Sequence, residues 1–83
     1  MLSKEEIQFL FKAVEIAQQE YPRWRYGQTV FNVGFELHPE MFDALRGSVI
    51  DPFHNDDLVD NCIKVITEPD VYEYYLTDIK KQL

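Results

Sequence analysis

Several residue types are scarce in this sequence, and each scarcity excludes a class of protein. The single cysteine, Cys62, allows no disulfide within the chain and no zinc cluster built from several cysteines. The longest uninterrupted apolar run is three residues, whereas a membrane-spanning helix needs about 20. The three glycines, Gly27, Gly34 and Gly47, match no phosphate-binding or nucleotide-binding fingerprint.

Basic residues are also few, because 8 lysines and arginines stand against 15 aspartates and glutamates, for a net charge of −7. The imbalance is concentrated between Asp51 and Asp78, where Lys64 is the only base among eight acids. Such a surface repels phosphate backbones, so we predict no direct nucleic-acid binding outside a small Arg23/Arg25 patch. An acidic face is instead suited to a basic protein partner.

The residues that are present can form a core, since 46% of them are hydrophobic and 14% are aromatic. This composition predicts one folded domain over residues 1–83 rather than a disordered chain. No basic segment leads into an apolar stretch near the N-terminus, so neither a secretory signal nor a membrane anchor is expected. Together with the single cysteine, this favours a cytoplasmic protein.

The first helix is predicted over residues 3–20. Ser3 and Glu6 form a capping-box pattern, in which each side chain accepts a hydrogen bond from the other residue's backbone N–H. One apolar stripe recurs at helical spacing and consists of Ile7, Leu10, Phe11, Val14, Ala17 and Tyr21. A second stripe widens the apolar arc and consists of Phe9, Ala13 and Ile16. Either this helix lies deep in the domain, which we favour, or the second stripe packs on another chain, such as a second copy in a homodimer.

A second helix is predicted over residues 25–37, because its apolar residues repeat with a helical period. A strand over residues 29–35 is the alternative, since threonine, valine and phenylalanine favour sheets. Gly34, in the middle of this segment, either permits the close approach of another helix or marks a kink.

A short third helix is predicted to begin with Pro39, which suits the first helical position. Arg46 lies in its last turn, and Gly47 is a natural left-handed cap. Arg46 could pair with Asp51 across the turn that Gly47 makes.

Two further helices are predicted in the second half of the chain. Asn55 is the expected N-cap of a helix over residues 56–66. Asp70 and Glu73 are the expected capping pair of a fifth helix over residues 71–82. Short links join all these segments, which predicts an all-α fold, a compact domain of four or five short helices.

Polar residues near the second helix have a structural and a functional interpretation. We interpret Trp24 as a core residue, although the Arg23-Trp24-Arg25 run could stack on an aromatic ring or bind an anion. Arg25, Gln28 and Asn32 either hydrogen-bond the carbonyls of a long connector, which we favour, or mark a binding face.

The stretch from Asp51 to Asp57 holds the densest group of oxygen and nitrogen ligands, but it is not a calcium-binding loop. The mid-loop glycine and the terminal bidentate glutamate of such a loop are missing. Each acid also has a local role as a turn former or as charge at a helix start. We therefore predict no metal and no other cofactor. A small metal- or ligand-binding module centred on this stretch remains the alternative.

The sequence contains no recognisable set of catalytic residues. Cys62 is the only strong nucleophile, and it lies on an apolar helix face where thiolate formation is disfavoured. His38 and His54 lie at predicted helix starts, and neither is close to Cys62 in a known catalytic pattern. The prediction is a protein that is not an enzyme and has no catalytic residues.

The central stretch carries a distinctive string, which consists of Arg25-Tyr26-Gly27-Gln28, Phe31-Asn32, His38-Pro39-Glu40, Arg46-Gly47 and Asp51-Pro52-Phe53-His54. Over residues 25–66 this string resembles that of a class of very short uncharacterised proteins encoded in phages and prophages. No established activity is attached to that class. The resemblance implies a small accessory protein of viral origin and carries over no catalytic residue.

These observations predict a small, acidic, non-enzymatic protein that binds another protein. The resemblance implies one form of such a protein, a phage-encoded inhibitor or modulator of a host protein. The acidic second half could engage a basic, nucleic-acid-binding partner by imitating nucleic acid, and the plainer interpretation is an adaptor. The residues expected to contact the partner are Asp56, Asp57, Asp60, Arg23, Arg25 and Trp24. The alternative is a structural homo-oligomer subunit that pairs through the second stripe of the first helix.

Overall fold

The computed structural model describes residues 1–79, with side chains through Thr77, and this part of the chain is all-α. The α-helices are α1 (Lys4–Glu20), α2 (Tyr26–Leu37), α3 (Pro39–Leu45), α4 (Val59–Thr67) and α5 (Pro69–Tyr74). Two 3-10 turns precede α4 (Pro52–His54 and Asp56–Leu58), and a π-helical turn continues α5 (Tyr75–Ile79). The predicted all-α fold is therefore confirmed. Within residues 1–79, every helix is too short or too polar to cross a membrane.

The start of α1 is capped as the sequence predicts. The Ser3 hydroxyl accepts a hydrogen bond from the Glu6 N–H at 3.1 Å, and the Ser3 N–H donates to the Glu6 carboxylate at 2.9 Å. Just before this cap, the Leu2 N–H donates to the Ile66 carbonyl at 2.7 Å, which joins the start of α1 to the end of α4.

Only one of the two apolar stripes of α1 is buried. Leu10, Val14 and Ala17, from the first stripe, face the core. Phe9 and Ile16, from the second stripe, are exposed. The expectation that this helix lies deep in the domain is therefore wrong, because α2 and the remaining helices cover one side of its apolar arc and leave the other side open.

α2 is a helix and not a strand, and its glycine sets the distance to α3. A Cβ atom on Gly34 would overlap the ring of Phe42, so only glycine allows the two helices to approach this closely. The close approach predicted for Gly34 is thus confirmed. α3 ends just before Gly47, whose positive φ of 72° lies in the left-handed region, as expected of a helix-terminating glycine.

Asp51 holds the connector between α3 and α4. Its two carboxylate oxygens accept hydrogen bonds from the N–H groups of Gly47 at 2.7 Å and Phe53 at 2.9 Å. The pairing of Arg46 with Asp51, which the sequence allowed, is not formed, and the Asp51 carboxylate binds these two backbone donors. The Arg46 guanidinium lies instead over the ring of Phe35, 4.6 Å from its centroid, which is a cation–π contact.

The predicted helix over residues 56–66 is present in two parts. Asn55 is its N-cap as expected, since the Asn55 side-chain oxygen accepts a hydrogen bond from the Asp57 N–H at 2.9 Å. The first turn is a 3-10 turn, and the α-helix proper begins at Val59. The cap and the acidic first turn are therefore where the sequence places them.

α5 begins two residues earlier than predicted and has a different cap. Pro69 lies in its first turn, and Glu68 is an N-cap without a side-chain hydrogen bond. The expected Asp70–Glu73 capping pair is wrong, because Asp70 already lies inside the first turn. The described residues do not reach the predicted helix end near residue 82 or its last-turn residues Lys80, Lys81 and Leu83.

The core lies where α1, α2, α3 and α4 meet. Its buried side chains include Leu10, Val14, Val30, Phe31, Phe42, Leu45, Val59, Cys62, Val65, Ile66 and Tyr75. Phe31 packs edge-to-face against Phe42 at 5.8 Å and against Phe53 at 5.9 Å between ring centroids. The fully buried Tyr75 donates its hydroxyl to the Ala44 carbonyl at 2.8 Å, which ties the turn after α5 to α3.

Candidate functional site

An apolar groove of about 460 Å³ runs along the exposed side of α1, where α2 packs beside it. We call it the α1/α2 groove, and its apolar lining includes Phe9, Ala13, Ile16, Tyr21, Val33 and Leu37. Phe9 is 64% exposed and Ile16 is 54% exposed, although both side chains are large and apolar. Exposed apolar groups gathered in one groove are typical of a surface that another molecule covers.

The sequence of α1 explains why this groove exists. Phe9, Ala13 and Ile16 are spaced four and three residues apart, so they lie on one face of the helix. That face is rotated away from the stripe that α1 buries, and the side chains of α2 reach only its edge. In the sequence, the wide apolar arc of α1 indicated this surface. Nothing in the sequence indicated that Val33 and Leu37 of α2 would line it as well.

Trp24 closes one end of the groove. The link between α1 and α2 turns tightly enough for the Trp24 N–H to donate to the Tyr21 carbonyl at 3.0 Å. This turn stacks the Trp24 ring on the Tyr21 ring, with 4.2 Å between centroids and 10° between planes. The interpretation of Trp24 as a core residue is wrong, because the indole is only half-buried and lines the groove instead.

The apolar surface continues past the other end of α1. A second groove of about 300 Å³ shares Phe9 and Leu37 with the first and extends to His38. A third groove of about 400 Å³ shares His38 and is lined further by Met41 and Tyr72. The three grooves are therefore neighbours, joined by shared lining residues, between Trp24 and Tyr72 of α5.

The charged groups along the first two grooves are all acidic. Glu20 and Glu36 line the α1/α2 groove, and Glu5 and Glu6 line its extension. Among the residues that the structure describes, no lysine or arginine lines either groove. Hydrogen bonds from the backbone and side chain of Ser3 lower the pKa of Glu6, so this carboxylate stays ionised at neutral pH. The surface is thus an apolar floor with an anionic rim.

Arg25 and Asp56, two of the predicted partner-binding residues, bind each other. The Arg25 guanidinium donates to the Phe53 carbonyl at 2.6 Å and lies 3.6 Å from the Asp56 carboxylate. The same Asp56 carboxylate accepts a hydrogen bond from the Gly27 N–H at 2.8 Å. A Cβ atom on Gly27 would overlap the Pro52 carbonyl oxygen. The favoured structural role of Arg25 is confirmed, because it fastens the connector to α2.

The same contacts join the two ends of the central string. The Gln28 side-chain oxygen accepts a hydrogen bond from the Arg25 N–H at 3.4 Å, which helps to start α2. The beginning of the string at Arg25 to Gln28 and its end at Asp51 to Phe53 therefore meet in space. Asn32, by contrast, lines the α1/α2 groove.

The remaining predicted partner-binding residues are exposed and lie outside the three grooves. Arg23, Asp57 and Asp60 are all exposed. Burial, and secondarily the Asp60 carboxylate, raise the pKa of Tyr26. Because Asp56 is engaged with Arg25 and with backbone, the acidic surface available for imitating nucleic acid is smaller than the sequence suggests.

The described residues form neither a metal-binding cluster nor a reactive thiol. No three side chains of histidine, cysteine, aspartate or glutamate there lie close enough together to hold a metal ion. Cys62 is fully buried, and this burial raises the pKa of its thiol to about 12. The thiol is therefore neutral at physiological pH and acts as a small core residue.

Comparison with known proteins gives no significant match. The chain matches no protein-family model, and it has no significant match among curated proteins or among solved structures.

Proposed function

We propose that this chain is a non-enzymatic protein-interaction protein, and that its α1/α2 groove binds a segment of another protein. The observation that supports this most directly is the exposure of Phe9 and Ile16 beside Leu37 in one groove. Burying a side chain of this size is worth about 1.5–3 kcal/mol. A fold that leaves two of them in water forgoes that stabilisation, and a bound partner would recover it.

The central string and the overall charge indicate which kind of partner to expect. The resemblance of residues 25–66 to short phage and prophage proteins supports a host protein as the partner, with the chain as its inhibitor or modulator. A net charge of −7 favours a partner with a basic surface. The buried, unpaired Cys62 is compatible with a reducing compartment such as the cytoplasm.

Site-specific photocrosslinking tests the proposal. One variant carries p-benzoylphenylalanine in place of Ile16, inside the groove, and the control carries it in place of Val49. Val49 is similarly exposed, at 56%, but lines none of the three grooves. Irradiation in the native cells is expected to give a discrete adduct with another protein from position 16 and not from position 49.

Other patterns of crosslinking contradict the proposal. The same adducts from both positions, or none from either, would show that the groove has no dedicated protein partner. An adduct with the mass of two copies of this chain, and no other, would support the homo-oligomer alternative instead.

A further inference from the structure

The geometry points to one kind of occupant for the α1/α2 groove, a basic amphipathic helix of about four turns supplied by another protein. This inference rests on the proposed function and specifies the partner. The shape of the groove, the charge of its rim and the behaviour expected of a second copy each support a helix from another protein.

The shape of the groove favours a helix over an extended peptide. The groove and its extension follow α1 from Glu5 to Glu20, a distance of about 22 Å at 1.5 Å per residue. Its walls are the side chains of two neighbouring helices, and a third helix packs naturally between two such ridges. An extended peptide that binds by strand addition needs a sheet edge, and the described part of the chain contains no strand.

The charge of the rim favours a helix with lysine and arginine beside its apolar face. Four glutamates, Glu5, Glu6, Glu20 and Glu36, line the groove and its extension. Lys12 and Arg23 are exposed nearby in the sequence but line neither groove. Phe9, Ile16 and Leu37 would then receive apolar side chains at helical spacing, and the glutamates would set the orientation of the bound helix.

The same charges disfavour the two other candidates for this surface. A second copy of the chain would bring its own four glutamates against these four, with a net charge of −7 on each partner. Like charges facing each other across an interface oppose association. The anionic surface of a cell membrane would be repelled for the same reason.

A displayed peptide library tests the inference with a defined probe. The probe is a yeast-displayed set of 18-residue alanine-rich helices with apolar residues randomised at helical spacing. Lysine, arginine, glutamate, aspartate and glutamine are randomised on the flanks. Against the full chain, the retained helices are expected to be enriched in lysine and arginine on both flanks. Phe9→Ser with Ile16→Ser should weaken their binding by about tenfold or more.

Matched variants separate the apolar floor from the acidic rim. Val49→Ser with Tyr74→Ser removes two similarly exposed apolar groups outside the grooves and should leave the binding of these helices unchanged. Glu20→Lys with Glu36→Lys should reverse the enrichment toward acidic flanks. Glu15→Lys with Glu73→Lys makes the same change in net charge at exposed positions off the groove, and it should preserve the basic preference.

The outcomes distinguish failure of this inference from failure of the proposed function. Helices that depend on Phe9 and Ile16 but carry no basic flanks would overturn the inference and leave the proposed function standing. If no helix is retained, or if retention ignores Phe9 and Ile16, a helical occupant is refuted, and crosslinking from position 16 decides the proposed function. Dimerisation that depends on Phe9 and Ile16, measured by sedimentation equilibrium, would make a second copy of the chain the occupant instead. Binding to vesicles with 30% phosphatidylserine that depends on the same residues, without binding to helices, would make a membrane the occupant.

Discussion

Cys62 illustrates how burial changes the chemistry of one side chain in this fold. The thiol is fully buried, and burial raises its pKa to about 12. The unfolded chain therefore loses this proton near pH 9, while the folded chain retains it. Stability from this group is fully present below about pH 9, and it falls by about 1.4 kcal/mol per pH unit as the pH rises toward 12.

Urea unfolding between pH 7 and pH 11 measures this effect, with Cys62→Ala as the comparison. The variant is expected to be less stable at neutral pH by about 1–2 kcal/mol, because it leaves a small cavity. It also lacks the thiol, so the two stabilities should converge as the pH rises. Burial raises the pKa of Tyr75 as well, but this slope is common to both proteins. Parallel curves would contradict the assignment of a neutral buried thiol.

At single residues, the sequence was a good guide to helix caps and a poor guide to the packing of large side chains. Ser3 and Asn55 cap their helices as predicted, because the groups that they bind are two or three residues away. Trp24 and Arg46 were misplaced, because the turn after α1 stacks the Trp24 ring on Tyr21 and the packing of α2 brings Phe35 under the Arg46 guanidinium. An indole or a guanidinium can be satisfied in several ways, and only the tertiary structure selects among them.

Among the elements, the packing of α2 on α3 depends on a missing side chain. Gly34→Ala would place a methyl group inside the volume of the Phe42 ring, which is fully buried and cannot move into water. The overlap is expected to cost more than the roughly 1 kcal/mol that alanine gains in helix propensity. We expect a net loss of about 2 kcal/mol in the free energy of unfolding, measured by denaturant titration.

A double-mutant cycle shows whether the ring is the cause of this loss. Phe42→Leu removes the atoms that the new methyl group would meet, so Gly34→Ala should be nearly neutral in that background. The expected coupling energy is about 1–2 kcal/mol. If the two substitutions were simply additive, strain elsewhere in α2 would have to explain the loss.

The helices were predictable as elements, whereas the surface that they leave open was not. The spacing of apolar residues indicates α1 and α2 without knowledge of their neighbours. Whether Phe9 and Ile16 are covered depends on the number and placement of the other helices. For this reason the wide apolar arc of α1 allowed two interpretations; the favoured one is wrong, because Phe9 and Ile16 are exposed, and packing of this stripe on another chain stays a prediction. The start of α5 was misjudged because Pro69 both breaks the preceding segment and suits a first helical turn.

At the scale of the whole molecule, charge repulsion outweighs charge pairing. The chain carries a net charge of −7. The ion pairs in its described part are Arg25–Asp56 at 3.6 Å and Arg46–Asp43 at 3.9 Å, and both are about half exposed. Exposed pairs of this kind are worth about 0–1 kcal/mol each. Repulsion among the excess carboxylates opposes the compact state, and salt screens it.

Salt is therefore expected to stabilise this protein. Raising NaCl from about 20 mM to about 500 mM shortens the Debye length from roughly 20 Å to below 5 Å, and the Tm should rise by a few degrees. Differential scanning calorimetry in chloride is the suitable measurement, because sulfate and phosphate also strengthen apolar burial. Glu15→Gln with Glu73→Gln removes two exposed charges that lie outside the first turn of their helices and belong to neither ion pair. This variant should start with a higher Tm in low salt and gain less from added salt. A Tm that falls as salt is added would mean that the two ion pairs, and not the excess acid, dominate the electrostatics of the folded chain.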